Sequence, residues 1–174
     1  MRLFLAIPAN REELRTALST WKQATPAIRW EAPEALHLTL RFIGAWPDAR
    51  VRELEAALAD LRWPPFPLQL THLGGFPDLR RPRVLWAGIA PSPPLTALAG
   101  EISTRLAALG LAPDPRPFTP HISLARLRPG QRPDQLTPFA PATWTASGFN
   151  LYETVPNTPP ATRYQIRTRF ASAL

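Results

Sequence analysis

Two spacings of apolar residues organise this chain. Residues 2–7, Arg-Leu-Phe-Leu-Ala-Ile, form an apolar run that ends in a β-branched residue and is closed by Pro8, which predicts a strand. Helical spacing follows: Leu14, Ala17, Leu18 and Trp21 recur three and four apart, behind Asn10 and Glu13 placed as a capping box. A second helix is signalled by Asp48 with Val51, Leu54, Leu58 and Leu61 on one face. A third runs through Leu95, Leu98, Ile102, Leu106 and Leu109, with Gly110 at the C-terminal cap. Strand-like stretches fall near 36–43, 67–72, 83–89, 118–125, 146–153 and 163–170. Prolines cluster at 63–67, 91–94, 113–120 and 156–160, and none of these joints is long enough for a linker. Residues 1–174 therefore read as one domain. Strands and helices mix without strict βαβ alternation, which predicts an α+β fold with mainly antiparallel sheet.

One tetrapeptide occurs twice. His37-Leu38-Thr39-Leu40 is echoed by His121-Ile122-Ser123-Leu124, each inside a predicted strand, and these are two of only three histidines. Alternate side chains of a strand share a face, so His37 and Thr39 point one way while Leu36, Leu38, Leu40 and Phe42 point to the core. His121 and Ser123 likewise oppose Ile122 and Leu124. Each strand thus offers an imidazole and a hydroxyl about 6–7 Å apart, a separation that can straddle one phosphate group. Opening a cyclic phosphodiester needs a base to activate water and an acid for the departing ribose oxygen, on opposite sides of phosphorus. An imidazole with its ordinary titration near neutrality serves either role. The hydroxyls can donate to the non-bridging oxygens, where charge grows. Such chemistry calls for no metal and no cofactor.

Composition changes this picture little. The chain has 174 residues, 45% hydrophobic, enough for a sizeable core. The absence of cysteine excludes disulfides, thiolate metal sites and a cysteine nucleophile, and it fits a reducing compartment. No apolar run is long enough to span a membrane, and the first residues are too few for a signal-peptide core, so a cytoplasmic protein is expected. The net charge of +7 is carried almost wholly by arginine, since Lys22 is the only lysine. It suits an anionic partner, and it equally suits the Arg-, Ala- and Pro-rich usage of a GC-rich genome.

The paired His-x-[Ser/Thr]-x motifs resemble those of the two-histidine (2H) phosphoesterase superfamily. The wider context resembles its RNA 2′,3′-cyclic phosphodiesterase branch, also called the 2′-5′ RNA ligase family. Five stretches carry the likeness in family order: Arg2 to Ile7, Leu36 to Gly44, Arg83 to Trp86, Phe118 to Arg126, and more weakly Leu151 to Thr154. The resemblance implies two β-α lobes related by a pseudo-twofold axis, with the histidines facing across a central cleft. It implies cleavage of the 3′ bond of a 2′,3′-cyclic phosphate, leaving a 2′-phosphate, with reversible 2′-5′ RNA ligation as a second activity. By the same resemblance His37 is the proton donor and His121 the acceptor. Thr39 and Ser123 bind the phosphate, and Arg126 adds an anion contact. The expected partner is RNA with cyclic phosphate ends, or cyclic nucleotides, met by a monomer. Three features depart from the family pattern: Ser123 stands where threonine is commoner, residues 129–141 are too proline-rich for the expected helix, and no Gly-Pro precedes Tyr164.

Other residues carry weaker signals. By strand parity Arg126 points away from His121 unless the strand bulges near Ala125. Arg41 shares the parity of His37 and could reach back toward the cleft. His72, beside a Gly74-Gly75 turn signal, reads as structural or exposed. Phe42 and Trp86 read as core, and Phe76 as a candidate for stacking on a base. Two further functions stay open on sequence alone: an RNA-end or nucleotide binding module without turnover, and a phosphodiesterase acting on another cyclic or 2′-5′ phosphodiester.

Overall fold

The computed structural model describes residues 1–134 and 136–173. Among them, nine strands and three α-helices run in the order β1 (Arg2–Pro8), α1 (Glu12–Ala24), β2 (Arg29–Trp30), β3 (His37–Ala45), α2 (Val51–Ala59), β4 (Phe66–Phe76), β5 (Val84–Ile89), α3 (Pro93–Ala108), β6 (His121–Arg126), β7 (Thr143–Ala146), β8 (Gly148–Thr154) and β9 (Tyr164–Ala171). The strands form one sheet in the order β7-β4-β5-β6-β3-β1-β8-β9, and β2 pairs with β6 off this path. Every pairing among the described residues is antiparallel. The fold class expected from the sequence is the one observed.

The sheet order reads outward from β3 and β6. On one side β3 lies beside β1, and α1 falls between them in sequence. On the other β6 lies beside β5, with α3 between. One face carries the main core: Leu3, Leu5, Leu38, Leu85, Ile122 and Leu124 pack with the apolar stripes of the helices, Leu14 and Trp21 of α1 and Leu95, Ile102 and Leu106 of α3. Each fully buried aliphatic side chain there contributes about 1.5–3 kcal/mol of transfer free energy. On β1 the opposite face is buried too, because Phe4 and Ala6 join Tyr152 and Tyr164 in a small second cluster. That explains why residues 2–7 are apolar without alternation.

Several boundaries differ from the sequence reading. Helix α1 starts at Glu12 behind Arg11, with no side-chain cap, so Asn10 and Glu13 make no capping box. Asp48 opens a 3-10 turn over Asp48–Arg50, and α2 follows it. Helix α3 is capped by Ser92, whose Oγ accepts from the Leu95 amide, and it ends as predicted at Gly110. There φ is 91°, and the Leu111 amide donates to the Leu106 carbonyl while that of Gly110 donates to Ala107, the reciprocal bonding of a Schellman end. Gly74 and Gly75 lie inside β4 and not at a turn. The Trp86 indole lies so close over the backbone that a Cβ at Gly74 would meet its ring carbons at 2.1 Å. The stretch between β6 and β7 carries no helix among the described residues, in keeping with its prolines.

Candidate active site

The site is built where β3 meets β6. At this junction Leu38 pairs opposite Ile122, both fully buried on the core face. Continuing that antiparallel register by one residue each way sets His37 opposite Ser123 and Thr39 opposite His121. All four are partly exposed on the other face, as strand parity requires. Residues directly opposite have Cβ atoms about 4.5–5.5 Å apart, and diagonal neighbours lie about 7–8 Å apart. The two histidines occupy one diagonal of this square and the two hydroxyls the other.

Beyond the square both strands break parity in the same way. In the pairing of β3 with β1, Phe4 is opposite Phe42, Leu5 opposite Arg41 and Ala6 opposite Thr39, so Leu40 is an extra residue. In β6 against β5, Leu85 is opposite Ala125 and Trp86 opposite Ser123, so Leu124 is the extra residue. Each bulge flips the side chains after it to the other face. The burial patterns of the six residues from each histidine are consequently the same, with two consecutive buried residues and then an exposed one.

The bulges correct one expectation and decide two others. Phe42 is not core: it is 55% exposed and lies on the face of His37, with its ring 6.3 Å from Phe4. Arg41 does not reach toward the cleft. It is buried on the core side, where its guanidinium bonds the Ala112 carbonyl and lies 3.9 Å from Asp114. Arg126 is turned onto the face of His121, and its charge bears on the titration of His37.

Both imidazoles are held alike. His37 Nδ1 donates to the Ala35 carbonyl at 2.7 Å, and His121 Nδ1 donates to the Thr119 carbonyl at 2.7 Å, in each case two residues back. A carbonyl only accepts, so Nδ1 carries the proton in both neutral rings and Nε2 is left free for chemistry. Their surroundings differ. His37 sits among Phe4 at 4.8 Å, Tyr164 edge-on at 5.1 Å and Tyr152 at 6.2 Å. This burial pushes its pKa down to about 4, against the pull of the Ala35 carbonyl, and the charges of His121 and Arg126 act in the same direction. His121 is also lowered by burial, with the Thr119 carbonyl opposing, and it rests against Phe76 edge-on at 5.0 Å and Trp86 at 6.2 Å.

Phe76, 36% exposed, therefore stands beside His121, where a base could reach it. Trp86, expected in the core, is instead half-buried on the active face, with an indole N–H that has no partner among the described residues. His72 is exposed on β4 with Trp86 edge-on at 5.6 Å, as expected of a residue outside the site. The aromatic surround of His37 escaped the sequence reading, because Phe4, Tyr152 and Tyr164 are brought together only by the sheet order.

The LigT-like phosphoesterase family model matches residues 5–86 and 89–160, which takes in both motifs. The chain belongs to that family. A Geobacillus stearothermophilus protein named RNA 2′,3′-cyclic phosphodiesterase is 31% identical over 162 residues, covering 87% of this chain and 51% of the relative. One of the same name from Archaeoglobus fulgidus is 30% identical over 131 residues, covering 74% of this chain and 73% of its own. The chain thus spans about half the length of the first relative. Among solved structures, a phosphoesterase crystal structure superposes with TM-score 0.80 at 30% identity, covering 99% of this chain and 98% of its own. Apo Escherichia coli LigT gives 0.79 at 30% identity with the same coverage, and that protein has also been crystallised with 3′-AMP and with phosphate. No helix among the described residues is long and apolar enough to cross a membrane.

Proposed function

We propose that this phosphoesterase hydrolyses the 2′,3′-cyclic phosphate end of RNA to a 2′-phosphate by acid–base catalysis between His37 and His121. The observation that carries this reading is the square at the β3–β6 junction, with two imidazoles on one diagonal, two hydroxyls on the other, and both Nε2 atoms unspent. A phosphate seated there has an imidazole on either side for in-line attack. His121 Nε2 takes a proton from water as its oxygen bonds to phosphorus. The bond from phosphorus to the 3′ oxygen breaks, and His37 Nε2 hands that oxygen a proton. Thr39 and Ser123 donate to the non-bridging oxygens, and Arg126 neutralises the charge they gain. With a 5′ hydroxyl in place of water as the nucleophile, the same displacement of the 3′ oxygen would leave a 2′-5′ phosphodiester, and its reverse would return the cyclic phosphate.

The donor role asks something of His37. Its imidazole is neutral near pH 7 in the free protein, so it acquires its proton only when an anionic phosphate lies beside it. The bound anion opposes burial and the two nearby positive charges, and so restores the proton where the leaving oxygen needs it.

The reading, with its monomeric state and independence from metal, is tested by incubating the protein with the four 2′,3′-cyclic mononucleotides in excess chelator and identifying the product isomer. Nucleoside 2′-phosphates are expected at undiminished rate. A 3′-phosphate product, no turnover, or activity restored only by a divalent ion would overturn it. Sedimentation of the active protein as a dimer would overturn the monomer.

A further inference from the structure

One buried ionisable group takes no part in this chemistry. Glu31 follows β2 directly, is 9% exposed, and its amide donates to the carbonyl of Leu124, the residue that makes the β6 bulge. Trp30 packs into the core against Trp21, so alternation turns Glu31, with Arg29, to the opposite face, that of His121, Ser123 and Arg126. Along β6, Glu31 stands between the His37–Ser123 corner of the square and Arg126. Its Oε2 is fully buried without a hydrogen-bond partner among the described residues.

Three guanidiniums act on this carboxylate: Arg163 from the segment before β9, Arg126 from β6 and Arg29 from β2. Yet among the described residues Glu31 forms no ion pair within 4.0 Å. Burial outweighs the three cations and holds the carboxyl above its ordinary range. The other titratable groups around it are His37, His121, the tyrosines Tyr152 and Tyr164 that wall His37, and the exposed Glu34 on the turn that follows. A side chain that tied Arg126 down would bond it. Glu31 does not, so it acts through its charge alone.

We propose that Glu31 is an internal counter-anion of the phosphate site, so that an anion binding beside Arg126 obliges Glu31 to take up a proton. The proposal rests on reading this cleft as a phosphate site. In the free protein the carboxylate partly neutralises the arginines. When a phosphate arrives, two anions compete for the same cations, and the buried one is the one that can be neutralised by protonation. By linkage, the factor by which the anion raises the proton affinity of Glu31 is the factor by which ionised Glu31 weakens the anion.

Sulfate is a suitable probe, because it stays a dianion across the working range. Calorimetric affinities are measured from about pH 5 to about pH 8.5 for the wild type and Glu31→Gln. At about pH 8 the variant should bind sulfate on the order of tenfold more tightly, and the two curves should converge as pH falls and Glu31 protonates. In the wild type, the 13C resonance of the Glu31 carboxyl should titrate at higher pH with saturating sulfate than without, a measurement that stands even if the variant fails to fold. Equal or weaker binding by Glu31→Gln at about pH 8, an unmoved carboxyl midpoint, or no sulfate binding by the wild type overturns the proposal. Turnover of cyclic phosphate is followed separately. Coupling without turnover keeps the Glu31 assignment and removes the hydrolase, and turnover without coupling does the opposite.

Discussion

The depth of His37 makes the pH dependence of the reaction the most informative measurement. The profile of kcat/KM reports the free enzyme, in which His37 titrates near 4 and His121 below its ordinary 6.5. At pH 7 a group of pKa about 4 is protonated in roughly one molecule in a thousand. The mechanism needs one proton on the pair, so kcat/KM should peak between about 4 and 6.5 and fall about tenfold per pH unit above neutrality. The kcat profile, read in the complex, should lie higher, because the bound phosphate raises both imidazoles. Initial rates on a cyclic mononucleotide at concentrations far below and far above KM give the two curves. The bell has the same limbs whichever histidine holds the proton, so the order of roles needs a second perturbation. A substrate with an activated 3′ leaving group requires little protonation and should rescue His37→Ala far more than His121→Ala. Rescue of His121→Ala instead would reverse the assignment. A kcat/KM maximum at or above pH 7 would refute the depressed imidazole, and a flat profile with no rescue would refute acid–base catalysis itself.

Three other outcomes follow from the same geometry. A buried neutral imidazole loses stability for the fold as pH drops, because the unfolded chain binds its proton from about 6.5 down and the folded chain only near 4. Between pH 7 and 4 the wild type should therefore lose about 3 kcal/mol more than His37→Gln in urea unfolding, and parallel curves would contradict the burial. Arg41→Ala removes a buried cation and leaves the Ala112 carbonyl unbonded, so it should cost about 2–4 kcal/mol in the same assay with kcat within about twofold of wild type. Thr39→Val and Ser123→Ala should each lower kcat by about 10²-fold with cyclic mononucleotides, as expected for lost donors to a charge that grows in the transition state, and a change confined to KM would show that they only bind.

The active face was legible in sequence as far as strand parity reaches, and illegible past it. His37, Thr39, His121 and Ser123 lie within four residues of their strand starts, where alternation is unbroken. The bulges at Leu40 and Leu124 come next, and nothing in Leu-Arg-Phe or Leu-Ala-Arg marks a bulge, since no glycine or proline accompanies it. Parity counting therefore mistook Phe42 for core and left Arg41 a path to the cleft, while the conditional bulge near Ala125 was the correct route for Arg126. Strands β2 and β7, of two and four residues, are too short to show a period. The box of Phe4, Tyr152 and Tyr164 around His37 has no local signature, because its members are far apart in sequence and meet through the pairing of β1 with β3 and β8 and of β8 with β9.

The two bulged strands would by themselves make a symmetrical site, and a symmetrical site could not distinguish an attacking water from a departing ribose oxygen. The frame repeats closely: imidazole, buried residue, hydroxyl, two buried residues, then one side chain returned to the active face. Symmetry breaks at that last position, where β3 presents the exposed ring of Phe42 and β6 presents the guanidinium of Arg126. It breaks again in the walls, because three aromatic rings close over His37 while His121 meets only Phe76 and Trp86. Both differences act in one direction. The aromatic walls strip more solvent from the His37 half than from the His121 half, and the Arg126 charge bears on His37 as well, so both lower His37 further. A pair of like residues in like backbone settings thereby titrates apart, with the proton of the free enzyme on His121, so a bound phosphate must move it to His37 before His37 can serve as donor.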